Sequence, residues 1–171
     1  FEQSDMILGR ATMANWVIRC SERYLSLVYD RLQKHLRSQT IIQADETTCQ
    51  VTKDGRPSDA KSYMFVYRTS EHCKEKPVIL YQYGKTRSKS NIQKFLEGFS
   101  GTLVSDAFSG YKSLDKNDEN IHSAFCWAHA RRDYADALKA LKGEDKNYAH
   151  ETVAHKALVQ IAAIYKAEEA L

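Results

Sequence analysis

The sequence predicts an α/β fold: a mixed sheet of five strands with helices on both faces, preceded by an N-terminal helix. Three observations indicate it. Apolar residues recur every three to four positions between residues 11 and 37, as on the buried stripe of a helix. Three runs rich in β-branched and aromatic residues follow within residues 40–83. Helical and strand segments then alternate up to residue 171, which is typical of α/β proteins.

The N-terminal region, residues 1–39, contains one long helical segment over about residues 11–37. Gly9 precedes it and could form the tight turn of a helix-turn-helix whose first helix is mostly absent. The alternative is a plain amphipathic helix that packs on the main domain, which we favour because one helix after a glycine is a weak motif. The apolar stripe consists of Met13, Trp16, Val17, Cys20, Tyr24, Leu27, Val28, Leu32 and Leu36.

Three antiparallel strands are predicted next, in residues 40–51, 62–68 and 78–83. The first is rich in isoleucine and threonine and ends at a turn over residues 54–57 that contains Gly55 and Pro57, residue types that favour turns. A polar connection, residues 69–76, separates the second strand from the third. Successive strands with short connections form an antiparallel meander.

The second half of the chain alternates helices and strands. Ser90 is a suitable helix N-cap, and Gln93 would complete a capping box. Strands are predicted in residues 102–106 and 122–125, and helices over about residues 110–114, 127–141 and 148–171. Because right-handed crossovers join parallel strands, this succession over residues 40–171 fits a ribonuclease H-like fold. The helix that starts at Ser90 would bury Ile92, Phe95, Leu96 and Phe99, and it would end at Gly98 and Gly101.

The composition is that of a globular protein with one domain of ordinary size and a small appendage. The chain has 171 residues, of which 43% are hydrophobic and 27% charged, a balance that excludes a disordered tail. No apolar run reaches the roughly 18 residues of a membrane span, and no signal peptide is recognisable. We therefore expect no membrane partner.

Both ends look cut, because the chain starts at Phe1 and stops at Leu171 inside a helical pattern. The cysteines, expected to be reduced thiols, are Cys20, Cys49, Cys73 and Cys126.

Basic residues are clustered locally, although the net charge is only +3. One cluster lies within residues 85–94 and includes Lys85, Arg87 and Lys89, and another is the pair Arg131 and Arg132. Such clusters are either solvated faces or sites of contact with DNA phosphates, and the sequence alone leaves both interpretations open.

Two aspartates lie on strands that this fold would bring together. Asp45 lies within the first strand and Asp106 at the end of the fourth, and these two strands are parallel neighbours about 4.8 Å apart in the inferred fold. Mg²⁺ prefers oxygen ligands, and two such ions can catalyse phosphodiester displacement. An aspartate at a strand end more often caps a turn, but Asp45 lies in an apolar, β-branched strand where an aspartate is unfavourable.

At these residues the sequence resembles transposases of the insertion sequence 66 family, a group of bacterial DDE transposases. Four stretches match the family's pattern in its order and span most of the chain. They are residues 12–17 (TMANWV), residues 44–48 (ADETT), residues 95–111 with Phe95, Leu96, Asp106, Ser109, Gly110 and Tyr111, and residues 126–132 (CWAHARR). The last stretch is the most specific.

The resemblance implies a ribonuclease H-like catalytic core that uses a carboxylate triad, Mg²⁺ or Mn²⁺, and the DNA of transposon ends and targets. Asp45 matches the first catalytic carboxylate and Asp106 the second. The third, a glutamate in an Asn-Asn-rich helical segment, is expected beyond Leu171, so this chain would be inactive alone. Four glutamates lack that context: Glu144, Glu151, Glu168 and Glu169.

Cys126 and His129 have a spacing that places both on one face of a helical turn, which could form half of a zinc site. No second ligand pair has a suitable spacing, so we favour a buried structural pair over a metal site, as in related transposases. Arg131 and Arg132 could then face DNA phosphates.

The leading functional hypothesis is a bacterial cytoplasmic DNA transposase, a homo-oligomer when active, that cleaves and rejoins DNA. One alternative is another nuclease of the same fold, such as a resolvase, which the stretch from Cys126 to Arg132 disfavours. A second is a non-catalytic DNA-binding protein that uses the Trp16 helix, and it would require a complete helix-turn-helix.

Overall fold

A computed structural model describes residues 8–52, 55–71, 73–114 and 119–169 of the chain, with the side chain of Glu144 excepted. Within these residues, five strands form one sheet in the order β3-β2-β1-β4-β5. The strands are β1 (Ile41–Gln50), β2 (Lys61–Thr69), β3 (Ile79–Gly84), β4 (Gly101–Ser105) and β5 (Ile121–Phe125).

The helices precede and connect these strands. A long N-terminal helix comprises α1 (Arg10–Cys20), a π-helical stretch (Ser21–Leu25) and α2 (Ser26–Arg37). Two short helices follow, α3 (Lys89–Phe95) and α4 (Ser109–Lys112). The last part of the described chain contains α5 (Trp127–Lys139), a 3₁₀ helix (Gly143–Glu151) and α6 (Val153–Glu168).

The pairing of the strands confirms the predicted mixed sheet. β2 pairs antiparallel with β1 and with β3, as in a meander. β4 lies parallel to β1 on its other side, and β5 lies parallel to β4. The chain reaches these parallel positions through α3 and α4, and this arrangement is consistent with a ribonuclease H-like fold.

One face of the sheet carries the hydrophobic core. Side chains alternate along a strand, so Ile42 and Ala44 face the core while Gln43 and Asp45 face the opposite side. The ring of Tyr67 stacks on that of Phe95 with centroids 3.6 Å apart, which joins β2 to α3. The predicted stripe of the helix after residue 88 is buried as expected. The core comprises Leu36, Ile42, Ala44, Phe65, Tyr67, Val78, Leu80, Ile92, Phe95, Leu96, Phe99, Leu103, Tyr111, Leu114 and Ile121.

The N-terminal helix docks through its second half. Leu36 of α2 is buried, and Tyr29 and Leu32 pack against the core, whereas α1 has no buried residue. Trp16 is 52% exposed, so the first half of the apolar stripe lies in solvent. Only Leu8 and Gly9 are described ahead of α1, and the helix-turn-helix hypothesis therefore stays a prediction.

Two predicted helix starts are wrong. The N-cap of α3 is Ser88, whose hydroxyl accepts the N–H of Ser90, because Ser88 has an extended backbone while Ser90 is already helical. The last helix begins at Val153 after the N-cap Thr152, whose hydroxyl accepts the N–H of His155 at 3.2 Å. The predicted continuation of this helix through residues 170 and 171 lies outside the described residues, as does residue 54 of the predicted turn.

None of the described helices is both long enough and apolar enough to span a lipid bilayer.

Gly101 is a point of close approach between β4 and the start of β1. Its φ is +154°, and a Cβ there would lie 2.4 Å from the carbonyl oxygen of Thr40. That oxygen cannot move away freely, because it accepts the N–H of Thr102 at 2.8 Å. Gly98 also has a positive φ, +78°, but a Cβ there would meet no atom within 4 Å.

We therefore expect Gly101→Ala to destabilise the protein more than Gly98→Ala. Gly98→Ala should lower the free energy of unfolding by about 1–2 kcal/mol, because alanine disfavours a left-handed backbone. Gly101→Ala adds a clash with backbone atoms and should lower it by more than about 3 kcal/mol. Urea unfolding of both variants measures the difference. Equal losses of stability would contradict the close approach at Gly101.

Candidate catalytic carboxylate site

The backbone places Asp45 and Asp106 at the same edge of the sheet. The parallel ladder between β1 and β4 pairs Gln43 with Val104, and two further steps along both chains lead to Asp45 and Asp106. Asp45 still belongs to β1, where it pairs with Val66 of β2, and Asp106 directly follows the last residue of β4. The strands that carry the two residues are therefore neighbours, as the sequence predicts.

The side chain of Asp45 faces the side of the sheet opposite the core and is 55% exposed. Its Oδ2 lies 3.6 Å from Nε2 of His129, and its Oδ1 accepts the N–H of Glu46 at 2.9 Å. A cavity of about 190 Å³ opens beside it. The lining residues are Gln43, Ala44, Asp45, Val66, Arg68, Val104, Cys126 and His129.

Cys126 and His129 hold the start of α5 against this edge. Cys126 is the N-cap of α5, and its N–H donates to the carbonyl of Ser105 at 2.8 Å, directly before Asp106. One turn later, His129 reaches Asp45 through Nε2. Its Nδ1 is buried and has no hydrogen-bond partner within the described residues. Both residues are half-buried rather than buried as predicted. The structural role of the pair stays a prediction, and the structure adds a contact between His129 and Asp45.

Asp106 has protein donors on both carboxylate oxygens. Its Oδ1 accepts the N–H of Phe108 at 3.0 Å, which fixes the turn between β4 and α4. Its Oδ2 accepts Nη2 of Arg87 at 3.1 Å. A direct contact between the carboxylates of Asp45 and Asp106 stays a prediction.

Glu46 is a site residue that the sequence analysis missed. Its side chain is only 2% exposed, because Glu46 follows Ile42 and Ala44 on the core face of β1. Tyr111 donates its hydroxyl to Oε2 at 2.7 Å, and Arg87 donates Nε to Oε1 at 2.5 Å. The alternation of side chains along β1 places Glu46 on the buried face, where a charge requires partners. This pattern could have identified Glu46.

Arg87 joins Glu46 to Asp106. Its Nη2 pairs with both carboxylates, and its guanidinium lies 3.7 Å from the ring centroid of Phe108, within cation–π distance. Burial lowers the pKa of Arg87, but the hydrogen bond and charge of Glu46, with the charge of Asp106, raise that pKa overall. Arg87 was predicted to contact DNA, and the structure places its guanidinium between two carboxylates.

Tyr111 is held protonated beside Glu46. Burial, and then the hydrogen bond to Glu46, raise the pKa of the Tyr111 phenol well above its ordinary value. The hydroxyl therefore donates, and Glu46 accepts.

The other predicted DNA-contacting residues follow strands β3 and β5, and they differ in burial. Lys85 is exposed in the loop after β3, and Arg131 and Arg132 are exposed on α5. Lys89 is half-buried, and its Nζ donates to the carbonyl of Ser113 at 3.1 Å.

The carboxylates of Asp45 and Asp106 fit a divalent cation in their donor type. Mg²⁺ and Mn²⁺ take hard oxygen ligands, and an ionised carboxylate keeps lone pairs beyond one hydrogen bond on each oxygen. Asp45 is accessible, and the side chain of Asp106 is 22% exposed. Among the residues that the structure describes, no three His, Cys, Asp or Glu side chains form a group able to hold a metal ion.

Comparison of the whole sequence with known protein families identifies the family of this chain. The model of the Transposase IS66 family matches residues 1–171. The chain belongs to the IS66 transposase family. This confirms the resemblance found in the four motif stretches and supports a transposase-type function.

Two proteins of Sinorhizobium fredii (strain NBRC 101917 / NGR234) are similar to this IS66-family chain. The uncharacterized protein y4jD is 29% identical over 147 residues, which cover 81% of the chain and 29% of y4jD. The uncharacterized protein y4qI is 28% identical over 138 residues, which cover 75% of the chain and 25% of y4qI. The IS66-family chain thus spans only between a quarter and a third of the length of these relatives.

We expect Tyr111→Phe to destabilise the IS66-family chain by about 1–3 kcal/mol at neutral pH, because Glu46 Oε2 loses a buried donor. The raised pKa of Tyr111 stabilises the fold below the unfolded value of 10.0, and this contribution is lost as pH rises above it. The stability gap between wild type and Tyr111→Phe should therefore narrow above about pH 10.

Urea unfolding between neutral pH and about pH 11 tests this, within the range where tyrosines begin to titrate. Tyr148→Phe is the control, since Tyr148 is 61% exposed, and it should leave stability unchanged throughout. A stability difference between wild type and Tyr111→Phe that stays constant with pH would contradict the assignment of the proton to Tyr111.

Proposed function

We propose that this chain carries two catalytic carboxylates of a DNA transposase, which cleaves strands at transposon ends and joins them to target DNA. Asp45 and Asp106 would hold Mg²⁺ or Mn²⁺. The observation that carries the proposal is the parallel pairing of β1 and β4, which brings both residues to one edge of the sheet. Membership of the IS66 family supports it and favours transposition over the chemistry of a resolvase.

The reaction would consist of two displacements at phosphorus. In cleavage, a water oxygen attacks the scissile phosphate and loses a proton, while the bond to the 3′ oxygen breaks and that oxygen gains a proton. In strand transfer, the freed 3′-hydroxyl loses its proton and attacks a phosphate of target DNA, while the bond from that phosphate to its 3′ oxygen breaks and the displaced oxygen gains a proton. A bound divalent ion supplies Lewis-acid stabilisation of the charge that develops on the phosphate.

The chain's own residues would fix the ligands in place. The N–H of Glu46 and the imidazole of His129 orient the Asp45 carboxylate. The N–H of Phe108 and the guanidinium of Arg87 orient that of Asp106. Rigid support of this kind matters because a displaced carboxylate would misplace the reacting phosphate.

DNA would approach the basic side chains that lie after β3 and on α5. We assign phosphate contacts to Lys85, Lys89, Arg131 and Arg132, and we assign Arg87 to the carboxylates instead. An element has two ends to process, so we expect a homo-oligomer in the active complex. The bacterial cytoplasm, where the DNA is, would be the place of action.

The deciding experiment is transposition in bacterial cells of a marked element whose transposase carries this chain. Asp45→Asn and Asp106→Asn should each reduce transposition by at least about a hundredfold, because loss of a metal ligand costs several kcal/mol of transition-state stabilisation and about 1.4 kcal/mol corresponds to tenfold in rate. Asp136→Asn is the matched control, since this exposed aspartate on α5 pairs with Lys139. Undiminished transposition in either active-site variant would refute the assignment.

A second prediction concerns DNA binding by the purified chain. Lys85→Ala with Lys89→Ala should weaken binding to duplex DNA and lower the slope of log affinity against log salt by about two, since each phosphate contact contributes about 0.9. Fluorescence anisotropy at several salt concentrations measures this. The control, Lys156→Ala with Lys166→Ala on α6, removes the same charge elsewhere. Equal effects of the two double variants would favour a non-specific charge effect over a binding surface.

A further inference from the structure

We propose that Arg87 is a tethered counter-cation of Asp106, and that a divalent ion binds Asp106 in competition with the Arg87 guanidinium. The proposal rests on the proposed metal site and adds a residue that regulates its occupancy. It follows from the contacts that hold Arg87 and from the unequal burial of its two partners.

Three contacts hold the guanidinium in one position. Nε donates to Glu46 Oε1 at 2.5 Å, Nη2 donates to Asp106 Oδ2 at 3.1 Å, and the plane lies 3.7 Å from the centroid of the Phe108 ring. An arginine with two carboxylate partners and an aromatic neighbour is ordered, unlike a mobile surface arginine. Its positive charge therefore lies permanently beside the Asp106 carboxylate.

Glu46 is the residue that anchors Arg87. Its carboxylate is nearly fully buried, and Tyr111 supplies a neutral donor without a compensating charge. Withdrawal of Arg87 from Glu46 would leave a buried, unpaired negative charge, which is strongly unfavourable. Arg87 is thus anchored to β1 by a partner that it cannot easily leave.

The contact with Asp106 is the exchangeable one. Asp106 is more exposed than Glu46, and its hydrogen bond with Arg87 is the longer of the two. A cation bound to Oδ2 of Asp106 would share that oxygen with Arg87, and the two positive charges would repel each other at this distance. The fixed guanidinium should therefore weaken binding of a divalent ion at Asp106.

The test is Mn²⁺ binding to the purified chain, measured by the electron paramagnetic resonance signal of free Mn²⁺. We expect Arg87→Gln to bind Mn²⁺ at least about tenfold more tightly than wild type, equivalent to about 1.4 kcal/mol. Lys166→Gln removes one positive charge on α6 and should leave the affinity within about twofold of wild type. Circular dichroism and urea unfolding establish that each variant is folded.

Arg87→Gln leaves Glu46 unpaired and can unfold the chain, so a Glu46→Gln, Arg87→Gln double variant provides the same test without the buried charge. It should bind several-fold more tightly than wild type. Adding Asp106→Asn to either variant should abolish the gain, which would assign the effect to that carboxylate.

The outcomes separate this proposal from the proposed metal site. If Mn²⁺ binding depends on Asp45 and Asp106 but is the same in wild type and both Arg87 variants, the counter-cation is refuted and the metal site stands. If Asp45→Asn and Asp106→Asn leave Mn²⁺ binding unchanged in every background, the metal site itself is refuted, and the counter-cation with it.

Discussion

The ion pair between the buried carboxylate of Glu46 and the partly exposed guanidinium of Arg87 holds together the edge of the sheet that carries Asp106. Glu46 belongs to β1, Arg87 to the loop between β3 and α3, and Tyr111, the third member, to α4. A single carboxylate on the core face of the sheet therefore connects three parts of the chain that are far apart in sequence. Because an unpaired buried charge is costly, these three parts are constrained to one arrangement. The orientation of Asp106 depends on that arrangement through Arg87.

Asp45 is supported in a different way. The carboxylate of Asp45 lies on the face of the sheet opposite Glu46 and is half exposed. Its neighbours are the N–H of Glu46 and the imidazole of His129 on α5. The two expected metal ligands thus differ in the stiffness of their surroundings: Asp106 is held by a network that extends into the core, and Asp45 by the first turn of α5. The position of α5 depends on the hydrogen bond between Cys126 and Ser105, which connects the start of that helix to the end of β4.

The sequence was sufficient to predict the sheet and the order of its elements, because strand periodicity is a local signal. The unfavourable position of Asp45 is also a local signal, but the roles of Asp45 and Asp106 stay predictions. Arg87 and Glu46 were not predicted as partners, since their contact joins residues 41 positions apart and no local pattern indicates it. Ser88 and Ser90 are both suitable N-caps, and their proximity in sequence made the prediction of Ser90 wrong. The choice between them depends on the backbone, which is extended at Ser88 and helical at Ser90.

The adjacency of Asp45 and Glu46 limits how the length of β1 can vary within this family. Successive side chains of a strand point to opposite faces, so a one-residue insertion or deletion between Ile42 and Asp45 would exchange the two acids. Glutamate would then lie beside the cavity and aspartate, one methylene shorter, would face Arg87 and Tyr111 from the core. Length changes should accordingly be absent from the first half of β1 in functional relatives and tolerated beyond Gln50, where the strand ends.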